Sequence, residues 1–247
     1  MKEYSKKLEN FIELIKKFDE EECIKLNKIA KDGLKFYPYA LGDKEEKRKL
    51  YETNHPMCSS LYKPNEKLLK LFNNLSVAYL KKITEVNTIS LDTFVKREKI
   101  ESIDFIKMDI QGAELDVLKG AERSLKNVLT IISEVEFLPI YNEQPLFGDI
   151  CTFLTSKNIM FHKFLGLSER SLIPVILKNN VNFPTQHMWS DAVFIKNILK
   201  IEELNNSQLL KQTIFSYLYG SPDLSYFCLI NYDKKNKTNL AELFKKI

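Results

Sequence analysis

Glycine is scarce in this chain: there are seven in 247 residues, beside eight prolines, and no two glycines stand two positions apart. That scarcity excludes collagen-like and linker-dominated architectures, and with them the GxGxxG fingerprint of nicotinamide-dependent oxidoreductases. Cysteine is equally sparse. Cys23, Cys58, Cys151 and Cys228 form no CxxC, so neither a zinc site nor a disulfide framework is indicated. The three histidines, His55, His162 and His187, are scattered; ligands usually come in close spacings, and no metal is expected. No run of about eighteen apolar residues occurs, and no apolar segment follows the initial Met-Lys-Glu-Tyr-Ser-Lys-Lys. The expectation is a cytoplasmic protein with no signal peptide, no membrane span and no membrane partner.

What is present is the material of a soluble globular protein: 44% hydrophobic and 28% charged residues, enough for a sizeable core. The length suits one large domain or a domain with an appendage. Thirty-seven basic and 33 acidic residues leave a net charge of +4. That surplus is too mild, and too little clustered, for a nucleic-acid partner.

Residues 5–31 are helical in pattern, with Leu8, Phe11, Ile12 and Ile15 on one face. Leu34 to Leu41 reads as a strand ending at the Gly42-Asp43 turn, and Lys44 to Tyr51 as a charged hairpin or helix start. His55-Pro56, Ser59-Ser60 and Pro64 mark irregular structure before a short helix. From residue 83 strands and helices alternate. Ile83–Ile89, Ile103–Asp109 and Leu129–Glu136 read as strands, and Leu91–Lys99 and Glu114–Lys126 as the helices between them, which predicts crossovers in a parallel sheet. A helix over Asp149–Lys157 follows, then strands at Met160–Phe164 and Asp191–Lys196 suited to an antiparallel pair at the sheet edge. A further helix is expected over Ser207–Tyr219.

The segment Ile103 to Glu114 places a buried strand directly before a glycine turn and an amphipathic helix. Ligands of open parallel sheets bind outside the carboxyl ends of strands, and Asp109 stands at such an end. Two readings of Asp109 remain open: a site carboxylate, or a cap for the following helix. Gly112 permits either a tight turn or a close ligand approach.

Several motifs in order carry a family resemblance: Ser90-Leu91-Asp92-Thr93-Phe94, Lys107-Met108-Asp109-Ile110-Gln111-Gly112-Ala113-Glu114, Val117-Leu118-Lys119-Gly120-Ala121 and Ile132-Ser133-Glu134-Val135. Ala40-Leu41-Gly42-Asp43 and Ser59-Ser60-Leu61 precede them, and Trp189 to Phe194 follows. Over residues 33–197 the chain resembles the FkbM-type methyltransferases, with Gln111 where that family usually carries Glu. The resemblance implies a Rossmann-like class I methyltransferase sheet within an α/β fold. It also implies S-adenosylmethionine as cofactor and transfer of methyl to a hydroxyl of a sugar, polysaccharide or secondary metabolite. The partner would be a small-molecule or glycan acceptor.

The front of the chain departs from that pattern. The family opens with a strand and a glycine-rich cofactor loop, then a second strand ending in an acid. Only 32 residues precede Gly33, whereas two strands with two helices need roughly 60. The expected organisation is therefore N-terminal helices at 1–32, a partial methyltransferase domain at 33–197 lacking its first two strands, and a mixed C-terminal appendage at 198–247. Bared sheet edges would favour a homo-oligomer. A truncated or degenerate, non-catalytic homologue acting as a binding module is the alternative to an enzyme.

Under the resemblance, Asp109 and Glu134, near the ends of neighbouring strands, are the candidate catalytic carboxylates. Ala40, Leu41 and Asp109 are the candidate cofactor contacts, the first two flanking the adenine. His187 and Trp189 either touch the acceptor or pack as core.

Overall fold

The structure is a computed structural model that describes residues 11–14, 20–180, 183 and 185–246. In chain order the elements are β1 (Phe11–Leu14), α1 (Glu20–Ile29), β2 (Ala40–Gly42), β3 (Glu46–Thr53), α2 (Glu66–Leu69), β4 (Leu80–Ser90), α3 (Leu91–Arg97) and β5 (Phe105–Met108). These are followed by α4 (Glu114–Lys119), β6 (Thr130–Glu136), α5 (Phe147–Ser156), β7 (Ile159–Phe164), β8 (Ser168–Arg170), β9 (Gln186–Lys196), α6 (Asn206–Leu218), α7 (Pro222–Asn236) and α8 (Leu240–Phe244).

The strands divide between two sheets. The larger runs β1-β5-β6-β9-β7, with β8 paired to β9; the smaller runs β2-β4-β3. β1, β5 and β6 are parallel neighbours, while β9 runs antiparallel between β6 and β7. The antiparallel edge pair read from the sequence is thus present. The single sheet is not: β4 pairs with β2 and β3, so α3 carries the chain from one sheet to the other.

Side-chain alternation explains why the larger sheet is central. Ile106, Met108, Ile131, Val135, Ala192 and Phe194 face one core, which also takes Leu91, Phe94, Val117, Leu118, Ile150 and Leu154 from α3, α4 and α5. Their sequence neighbours Phe105, Ile132, Val193 and Ile195 face a second core with Leu209, Phe215, Leu224 and Cys228 from α6 and α7. A strand buried on both faces loses the polar alternation of a one-sided strand, and β6 is accordingly Thr-Ile-Ile-Ser-Glu-Val-Glu with all but Glu134 buried. β3 and β4 show the opposite habit. They are mostly half-buried or exposed and carry cross-strand ion pairs, Lys47–Glu85 at 2.7 Å and Lys82–Glu52 at 3.2 Å.

Three expectations are corrected. Residues 11–14, read as helix, form a strand on the outer edge of β5, where their hydrogen bonds cover the edge expected to be bare; Leu8 and Ile15 lie outside the described residues. The expected strand from Leu34 to Leu41 contracts to Ala40–Gly42. Residues 198–244 are no mixed appendage: among the described residues they are helical and supply one layer over the central sheet. Lys211 of α6 and Asp104 before β5 fasten that layer with a 2.6 Å ion pair.

Candidate active site

β5 ends at Met108, and the next five residues make a sharp turn into α4. Gln111 and Gly112 both adopt left-handed backbone, at φ 59° and 95°. Such a conformation suits glycine but is costly for glutamine, and strained residues held this way cluster at functional sites. A β-carbon at Gly112 would also meet Gln144 Nε2 at 3.2 Å and Tyr141 Cδ2 at 3.3 Å. The glycine is needed both for the turn and for close packing.

The turn is held by Glu114. Its buried carboxylate accepts the backbone N–H of Ile110 and of Gly112, each at 2.8 Å. The capping reading of Asp109 therefore falls, since the work of satisfying these amides is done from within the helix. Ser60, in the motif after β3, donates from its hydroxyl to the Gln111 carbonyl at 2.7 Å.

Asp109 and Glu134 are brought together, as expected, at the carboxyl ends of β5 and β6. The Gln111 side chain lies between them: Nε2 donates to Asp109 Oδ1 at 3.0 Å and to Glu134 Oε2. Gln111 Oε1 faces the Tyr141 hydroxyl at 2.9 Å, and that hydroxyl is also 2.8 Å from the Cys58 carbonyl, donating to one of the two. Burial raises the Glu134 carboxyl well above its ordinary range, and the charges of Asp109, Glu136 and Glu114 raise it further. Burial raises Asp191, directly across β9 from Glu134, against the pull of Lys107 and with a further push from Asp109. Tyr141 is likewise held protonated by burial and by the groups around it.

The other expected residues are placed differently. Ala40 and Leu41 lie on β2 of the smaller sheet, and their side chains are buried. Trp189 stands across from Glu136 and is half-buried beneath the Arg170 guanidinium, 4.8 Å from the ring centre. His187 is exposed and 3.1 Å from Glu169. Two motifs turn out to be structural. Asp92 accepts the backbone N–H of Arg123 and Ser124 and the Ser124 hydroxyl, while Gly120 packs so tightly that a β-carbon there would meet the Gly42 carbonyl at 2.4 Å.

Sequence reading passed over Gln111 as a minor departure and did not single out Tyr141 or Gln144. The Gln144 side chain donates nothing from its buried Nε2, while its Oε1 accepts the Tyr141 N–H at 2.6 Å. Only the Gln-Gly pair at a strand end signalled this cluster in advance.

A model of the FkbM methyltransferase domain matches residues 6–160, a span that contains the β5 turn, Asp109 and Glu134. The chain belongs to the FkbM methyltransferase family. No curated protein and no solved structure matches it. The match to this methyltransferase family reaches upstream of Gly33 and takes in β1 and α1. No described helix is long and apolar enough to cross a membrane. Among the described residues, no three His, Cys, Asp or Glu side chains converge as metal ligands.

The acidic ends of β5 and β6 fit the positively charged end of S-adenosylmethionine, the cofactor its family generally uses. The nucleoside end is less well served. Residues 15–19, between β1 and α1, contain no glycine, so the sequence supplies no glycine-lined approach there.

Proposed function

We propose that the chain is an S-adenosylmethionine-dependent methyltransferase that O-methylates a hydroxyl of a sugar, polysaccharide or secondary metabolite. The sharing of one Gln111 amide by Asp109 and Glu134 carries this reading. When bound, the cofactor supplies a methyl group made electrophilic by its sulfonium. Asp109 faces that positive charge, and Ala40 and Leu41 border the adenine. Glu134 accepts the proton of the attacking hydroxyl. A carboxylate whose proton affinity is raised is a stronger base than an ordinary one, and burial among acids raises that of Glu134. Gln111, fixed by Ser60 and Tyr141, keeps the two carboxylates in register. In this reading β1 stands on the edge of β5 where the Rossmann-like sheet of the family continues with its first strands.

Cofactor binding is expected to be weak, on the order of 0.1 mM or poorer, because the glycine-lined approach is missing. Incubation of the folded chain with methyl-labelled S-adenosylmethionine and a panel of hydroxylated acceptors tests the reading. Label is expected in an acceptor, and its transfer is expected to collapse in Asp109→Asn and Glu134→Gln. Transfer that persists in both variants, or that no acceptor receives from the unaltered chain, overturns it. The absence of any glycine pair favours a second reading, a non-catalytic homologue. Calorimetry showing a folded chain that binds neither the cofactor nor S-adenosylhomocysteine selects that reading.

A further inference from the structure

Six large apolar side chains are gathered on one surface. Leu172, Ile173, Val175, Ile176 and Leu177 are each between 39% and 53% exposed, and Leu71 is 52% exposed. Leu71 lies against the same loop, because Phe72 forms a β-bridge with Leu172 and the Ile173 N–H donates to the Leu71 carbonyl at 2.9 Å. Exposed apolar patches of this kind mark docking surfaces more often than isolated exposed residues do.

The loop is built to present these groups. Asn73 donates from Nδ2 to the Ser171 carbonyl (3.2 Å), the Ser171 hydroxyl (3.0 Å) and the Val175 carbonyl (2.9 Å), and its backbone N–H bonds the Ser171 carbonyl at 3.0 Å. Ser171 itself is buried. Polar backbone groups are thus satisfied inward while the aliphatic side chains face out.

Charge decides what covers the patch. Residues 171–177 carry no charge, and the exposed Lys70 and Lys178 adjoin Leu71 and Leu177 directly in the chain. Glu66 is the one acid in residues 66–79 and 171–180, and it is paired with Lys70 at 3.2 Å. A second copy docked on the same patch would bring lysine against lysine. An anionic lipid surface would receive the lysines in its headgroup layer and the aliphatic tip in its acyl boundary.

We propose that the 171–177 loop, with Leu71, is a peripheral docking element for anionic membranes. This is contact with one leaflet and not a span. Phe72, behind the loop, packs in one cluster with Tyr141, whose hydroxyl reaches Gln111; docking would hold the Asp109–Glu134 site beside the lipid surface. The proposal stands independently of methyl transfer.

Flotation of the whole chain with phosphatidylcholine vesicles, with and without phosphatidylglycerol, tests it. Binding is expected to vesicles containing phosphatidylglycerol, to weaken with added salt, and to fall by about tenfold or more in the double variant Ile173→Glu, Ile176→Glu. Both positions are exposed, so thermal unfolding is expected to be unchanged and reports that the variant is folded. Lys70→Glu with Lys178→Glu should weaken binding to the anionic vesicles specifically. No binding to these vesicles, or binding that the Ile173→Glu, Ile176→Glu variant retains, overturns the proposal. So does a dimer, seen by light scattering, that this variant splits while vesicles are ignored.

Discussion

Asp109 and Glu134 share one hydrogen-bond donor: Gln111 Nε2 lies 3.0 Å from Oδ1 of the first and 2.5 Å from Oε2 of the second. An amide nitrogen has two hydrogens and no charge, so it joins two carboxylates without adding a third. A glutamate at this position would place three acids together, with Glu114 and Glu136 close behind. The uncharged glutamine spares the site that further charge.

Gln111→Glu should accordingly destabilise the chain, and more so as pH rises. The new carboxyl, set among acids, would have its folded-state proton affinity raised above that in the unfolded chain. Stability is then lost as pH climbs through the folded-state value. Urea unfolding from about pH 5 to about pH 8 is expected to show a deficit growing to about 1–3 kcal/mol; a constant deficit would show that geometry alone is responsible.

Glu134→Gln should do the opposite at high pH. The native carboxyl is raised above its ordinary value of 4.5, so the folded state keeps a proton that the unfolded chain has released. That contribution is full below the unfolded value and is lost as pH rises through the folded one. The variant lacks this loss. Its unfolding free energy should fall less than that of the unaltered chain between about pH 5 and about pH 8, and parallel profiles would contradict the raised proton affinity.

Asp109→Asn is expected to leave stability within about 0.5 kcal/mol, since the asparagine oxygen can still accept from Gln111. Methyl transfer should fall by about a hundredfold or more, because the charge is gone. Thermal melts and initial rates read the two effects separately. A large stability loss with normal rates would return Asp109 to a structural role.

Glu114→Ala removes the acceptor for two backbone amides, those of Ile110 and Gly112. Leaving buried donors without partners costs about 1–3 kcal/mol each, so chemical denaturation should show a loss of about 2–6 kcal/mol for the pair. A change near zero would mean that water reaches the turn.

Gly120→Ala should destabilise by about 1–3 kcal/mol, since the added carbon would sit 2.4 Å from the Gly42 carbonyl oxygen. Backbone cannot move aside as a flexible side chain can, so α4 and β2 must separate. A fall in the melting temperature measures it.

Much of the architecture was legible in the amino-acid order. The apolar pairs Phe105-Ile106 and Ile131-Ile132 marked buried parallel strands, because a strand covered on both faces does not show strict polar alternation. The Asp-x-Gln-Gly run at a strand end marked the site for the same local reason: glycine there answers a backbone demand that neighbouring residues impose. Asp109 and Glu134, separate in sequence, were paired on strand order alone, and the structure joins them.

The rest depended on contacts between distant segments. Periodicity places Phe11 and Ile12 on a helix face, yet the strand pairing of residues 11–14 with β5 belongs to tertiary context, which overrides local propensity over so short a stretch. Nothing local tells β4 to leave the central sheet, or residues 198–244 to cover it; both follow from which apolar faces lack a cover once β5, β6 and β9 are assembled. The sequence by itself determined the central strands β5 and β6, the turn that follows β5, and the family. Only the tertiary structure decided that Gln111 sits between two carboxylates, because a shared hydrogen bond is set by the distance between strands and leaves no periodic trace along the chain.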